Sequence, residues 1–159
     1  MSATDHDDLM DMASRIAYQD INAQSTETVR VNGRDFIVEE VHKDGTGLDA
    51  VTLRNPTTQE ITVAFEGTDG AVDVMTDAVL LTTATPEQYR SAADYVNHVS
   101  TTYGPVGSVC GNSLGGGLAA YVGALNPGIE AVTVNPAPVP AEVAGKSNEI
   151  GRASCRERV

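Results

Sequence analysis

The chain is poor in positive charge: 10 lysines and arginines stand against 22 aspartates and glutamates, a formal net charge of −12 over 159 residues. Nucleic-acid binding needs basic clusters to neutralise phosphates, so that class of partner is excluded. Cysteine is scarce, and Cys110 and Cys155 have neither metal-ligand spacing nor the density of a disulfide scaffold. No run of about 18 apolar residues is present that could span a bilayer. The first twenty residues carry Asp5, Asp7, Asp8, Asp11 and Asp20 but no basic start and no continuous apolar segment. That pattern argues against a secretory signal peptide. The expected location is the cytoplasm, or outside the cell by a route that does not use such a peptide. Histidine is limited to His6, His42 and His98, so none follows residue 98.

What is present suits one domain, with 41% apolar residues to build a core. Leu9, Met12, Ala13, Ile16, Ala17 and Ile21 recur at helical spacing behind aspartates that favour a helix start, which predicts a helix over 9–21. Strands are expected at 34–42, 48–56 and 60–67, joined by the turns "KDGTG" and Asn55-Pro56, as a β-meander. A helix over 86–102 opens with Pro86 just inside its start. A short apolar strand at 105–112, a small-residue helix at 114–125 stopped by Asn126-Pro127-Gly128, and a strand at 129–136 complete the order. From Ala64 onward, strands and helices alternate. The expected fold class is therefore α/β, with a mostly parallel sheet and flanking helices.

One stretch carries chemistry. "CGNSLGGGLAA", from Cys110, places Gly111-Asn112-Ser113-Leu114-Gly115 between the apolar strand "VGSVC" and the helix "GLAAYVGAL". A G-x-S-x-G turn between strand and helix projects a serine hydroxyl above the sheet, beside helix N–H groups that can receive a developing oxyanion. By itself the pattern is weak, and a structural turn satisfies it too. A phosphate-binding reading lacks both the lysine of the P-loop and the spacing of G-x-G-x-x-G.

The segments "VAFEGTDGAVDVMTDAV", "VCGNSLGGGLAAYVGALNP" and "AVTVNPAPVP" resemble the class 3, fungal-lipase-like branch of the α/β-hydrolases, over about residues 9–140. The resemblance implies an α/β-hydrolase-like fold and a lipase- or esterase-like serine hydrolase of carboxylic esters, acylglycerol or phospholipid, needing no cofactor or metal. Ser113 matches the nucleophile, Leu114 the backbone oxyanion donor, and Thr68 in "FEGT" the second oxyanion residue. Asp77 matches an aspartate that follows the family's lid segment. Glu66 stands where the family carries arginine, and Asn112 where it carries histidine. "GNSLGGGLA" with "NPAP" is also similar to bacterial lipase-like proteins, some of them linked to specialised secretion.

The triad order in such hydrolases is Ser, then acid, then His. After Ser113 the chain offers Glu130 and Glu142 before residue 149 and no histidine. His98 reads as a solvent-facing helix residue, His42 as a surface residue at a strand end, and His6 as a terminal one. Residues 149–159, "EIGRASCRERV", carry three arginines on an otherwise acidic chain and are similar to the translation of a common short-read sequencing adapter. The expected organisation is thus a C-terminally truncated lipase-like domain over 1–149 and a non-native tail over 150–159, the chain being inactive for want of its triad acid and histidine. The alternative is a non-catalytic α/β-hydrolase-like binding or scaffold module.

Other residues read more plainly. Residues 69–86 are apolar and threonine-rich: either an ordinary helix, or a lid whose Met75, Val79, Leu80 and Leu81 make transient contact with a lipid surface. Cys110 reads as a small core residue. Asp73 and Asp77 are four apart, but without a histidine or third carboxylate they read as a solvated helix face rather than a metal pair.

Overall fold

A computed structural model describes residues 4–18, 28–66, 86–137 and 139. Asn32 (φ 47°) and Gly33 (φ 84°) both adopt the left-handed conformation, as a two-residue hairpin turn with the right-handed twist of its strands requires. They join β1 (Thr28–Val31) to β2 (Arg34–Lys43), with Val31 opposite Arg34. Asn-Gly between β-rich runs is a strong hairpin signal, and β1 is the one strand that the sequence reading above does not include.

Next, β2 pairs antiparallel with β3 (Asp49–Arg54), and β3 with β4 (Ile61–Glu66). After β4 come α2 (Pro86–Thr102), β5 (Val106–Asn112), α3 (Leu114–Leu125) and β6 (Glu130–Val134). Here α1 is His6–Ser14, followed by a single 3₁₀ turn at Ile16–Tyr18. The expected first helix thus begins three residues earlier and stops at Ser14, although Ile16 and Ala17 are still buried.

Among the described residues, six strands lie in sequence order, β1 to β6, in one sheet. Only β4, β5 and β6 run parallel; the other three pairings are antiparallel. The sheet is therefore mixed, which corrects the expectation of a mostly parallel one. The links after β2 and β3 are too short for a crossover, which needs a dozen or more residues. Only the connections that hold α2 and α3 are long enough.

Side chains alternate across the sheet and bury two cores. On one face Ile61, Val63, Phe65 and Val109 pack with Tyr89, Val96 and Val99 of α2 and Leu114, Leu118 and Val122 of α3. On the other, Phe36, Leu53, Ala64, Cys110 and Val132 meet Leu9, Met12, Ala13 and Ile16. Burying each such valine or leucine contributes about 2 kcal/mol. Both cores converge on β4 and β5, and the C-terminal end of β5 carries the serine turn.

Candidate active site

β5 ends at Asn112 and α3 begins at Leu114, so a single residue must turn the chain. That residue is Ser113, with φ 57° and ψ −119°. A side-chain-bearing residue in such a sparsely populated region costs about 1–3 kcal/mol. A serine before a helix ordinarily caps it, its hydroxyl accepting an N–H from the first turn. Ser113 makes no such bond, so its hydroxyl is not committed to the helix. Its backbone is fully engaged instead: the N–H donates to the Val134 carbonyl at 2.9 Å, and its carbonyl accepts from Gly117 N at 3.1 Å and Ala137 N at 2.8 Å.

The flanking glycines are steric requirements. A Cβ on Gly111 would lie 2.1 Å from the Gly115 carbonyl oxygen, and one on Gly115 would lie 2.3 Å from the Phe65 carbonyl oxygen. Strand, turn, helix and the end of β4 are thus in backbone contact. The first N–H groups of α3 have no intrahelical acceptor and lend the turn a partial positive charge. Ser113→Gly is expected to stabilise the fold by about 1 kcal/mol, the relief of strain exceeding glycine's extra chain entropy. Urea denaturation checks this, and a loss of stability would mean that the hydroxyl is structural.

Register places Phe65 beside Gly111, and hence Glu66 at the level of Asn112. The two positions that differ from the class 3 pattern are therefore neighbours on parallel strands. Asp49 lies opposite Glu66 and Lys43 opposite Asp49, so a charged row crosses this end of the sheet.

His42 and His98 are paired away from the serine. His42 sits on β2, three strand intervals from β5, about 14 Å at the usual spacing. It is half-buried rather than the surface residue expected: its Nε2 bonds Asp44 Oδ2 at 3.0 Å and its ring stacks on Tyr95 at 4.4 Å. Asp44 also accepts from Ser91 Oγ and from the Thr46 N–H and hydroxyl. Burial pushes its carboxyl upward, but the hydrogen bonds from Ser91, Thr46 and His42 outweigh burial and hold it well below the usual carboxylate range. A carboxylate depressed in the folded state stabilises above its unfolded value and loses that contribution as pH falls, here progressively below about pH 4. Asp44→Asn is expected to flatten the acid limb of a pH–stability curve, read by denaturant midpoints from pH 2 to 6.

His98 is half-exposed on α2 and pairs with Glu40 at 3.0 Å, and His6 is exposed at the start of α1. Cys110 is buried on the α1 side of β5, where burial pushes its thiol far above its ordinary value. It is a core residue and not a nucleophile.

Residues 5–158 match the Tle-like phospholipase domain. The chain belongs to that family. It is also similar to the crystal structure of Lip2 lipase from Yarrowia lipolytica, at 17% identity and a TM-score of 0.43, over 64% of this chain. The chain spans 45% of that lipase. No curated protein matches it. Among the described residues of this phospholipase-like chain, no helix is long and apolar enough to cross a membrane.

Of the residues singled out from sequence, Ser113 and Leu114 stand together at the strand–helix junction. Thr68, Asp73, Asp77, the segment 69–85, Glu142, Cys155 and the tail over 150–159 lie outside the described residues. Sequence reasoning missed the segment 134–137, which bonds Ser113 on both sides. The sequence reading included Val134 to Pro136 in the strand over 129–136 and gave "NPAP" only as a likeness to bacterial lipase-like proteins.

Proposed function

We propose that this chain carries the nucleophile half of a serine hydrolase for carboxylic esters, with phospholipid as the substrate class that its family favours. The observation that carries the reading is Ser113: strained, uncapped, and held at the N-terminus of α3 where strand, helix and β4 meet. In this reading the Ser113 oxygen attacks the ester carbonyl, the bond to the alcohol breaks, and water later releases the acyl group. The N–H of Leu114 receives the oxyanion. Thr68 is its partner donor. It follows Glu66 by two residues, about 7 Å of chain at most, and Glu66 ends beside Asn112. The fold is then α/β-hydrolase-like, and the apolar segment 69–86 makes transient contact with the lipid surface.

The base must come from outside the described constellation, because His42 and His98 are paired on β2 and α2. Imidazole in solution can substitute for it. A fluorophosphonate is expected to add to Ser113 in an imidazole-dependent manner, seen as a mass increment on the peptide holding residues 106–125, and not at all in Ser113→Ala. No adduct at saturating imidazole would defeat the nucleophile assignment. The missing base supports a second reading, a catalytically silent lipid-binding module, which predicts that same blank result together with retained binding to phospholipid vesicles.

A further inference from the structure

The end of β6 and the residues that follow it meet one residue of the serine turn twice. Val134 O accepts the Ser113 N–H at 2.9 Å, and three residues later Ala137 N donates to Ser113 O at 2.8 Å. Between them Asn135 adopts φ 42°, a left-handed conformation that asparagine tolerates far better than a β-branched residue. Pro136 offers no N–H, so the returning donor is that of Ala137. The helix makes room for this arch: a Cβ on Gly116 would lie 3.0 Å from Pro136 Cα, and one on Gly117 would lie 3.0 Å from the Ala137 carbonyl oxygen. Ala137 itself is buried. Two bonds, a left-handed corner and a pair of glycine seats thus converge on Ser113.

We infer that 134–137 is a brace that holds Ser113 in its strained conformation, with Asn135 and Ala137 as positioning residues. The catalytic meaning of the brace rests on the proposed role of Ser113, but its geometry does not. Freed of the brace, Ser113 has an ordinary alternative, in which it relaxes to a standard N-cap and its hydroxyl turns back to the helix. The hydroxyl is then withdrawn from the position above the sheet while the two cores stay packed. Asn135 matters through its corner and not its side chain, so glycine replaces it and valine does not.

Amide hydrogen exchange resolved by NMR on the whole chain tests this. In Asn135→Val, the Ser113 and Ala137 amides are expected to exchange about tenfold faster, while Val51 and Leu53 in β3 stay unchanged. Asn135→Gly should restore native exchange at both. Asn135→Ala, milder than valine, is measured in the same way should Asn135→Val not fold. Unchanged exchange at Ser113, a uniform rise that includes β3, or no rescue by glycine would overturn the brace. These amides report on the brace whether or not Ser113 takes up a fluorophosphonate, so failure of the nucleophile reading is seen separately.

Discussion

Gly111→Ala and Gly115→Ala are each expected to destabilise the chain by about 3 kcal/mol or more, enough to unfold a domain of ordinary stability. The atoms that a new Cβ would meet, the carbonyl oxygens of Gly115 at 2.1 Å and of Phe65 at 2.3 Å, belong to the backbone and cannot swing aside. Relief requires β5, α3 or β4 to move, which disturbs the layer that holds Phe65, Val109, Leu114 and Leu118. Gly45→Ala is the control. Its Cβ meets nothing within 4 Å, so its effect should stay within about 0.5 kcal/mol. Chemical denaturation of the three variants decides the matter, and a Gly111→Ala protein as stable as the control would refute the close approach of strand and helix.

The second large effect is on turnover. For the 159-residue chain, hydrolysis of p-nitrophenyl butyrate is expected to fall on the order of 10⁴-fold short of a complete Ser-His-acid hydrolase, and Ser113→Ala should leave it unchanged. Without a base the serine hydroxyl remains protonated, and a strained turn alone does not ionise it. Two of the three histidines are occupied elsewhere, His42 with Asp44 and Tyr95 and His98 with Glu40, and His6 is exposed at the start of α1. Turnover that depends on Ser113 and vanishes in His98→Ala or His42→Ala would show that one of them reaches the site after all.

Much of the fold is legible in the amino-acid sequence. The helix over 86–102 runs from Pro86 to Thr102 and the helix over 114–125 from Leu114 to Leu125, because proline, glycine and apolar periodicity mark those boundaries locally. The sheet was harder. β1 is only four residues long and partly exposed; Thr28 to Val31 do alternate between exposed and more buried, but so short a run is a weak strand signal, and the Asn32-Gly33 corner is the stronger one. His42 looked like a surface residue because its partners, Asp44 in a turn and Tyr95 on α2, come together only when β2 packs beside that helix.

The candidate site divides in the same way. Sequence alone determined that a serine stands between glycines at a strand–helix junction, that no histidine follows it in these 159 residues, and that the chain carries a formal net charge of −12. These are local or compositional properties, and local backbone preference and total charge are written in the order and kind of residues. Tertiary structure decided that the sheet is mixed, that Glu66 and Asn112 are neighbours, and that 134–137 grips the backbone of Ser113. Each of these depends on strand register and on contacts between residues about twenty or more positions apart. Such contacts follow from which faces bury together, and no local pattern encodes them.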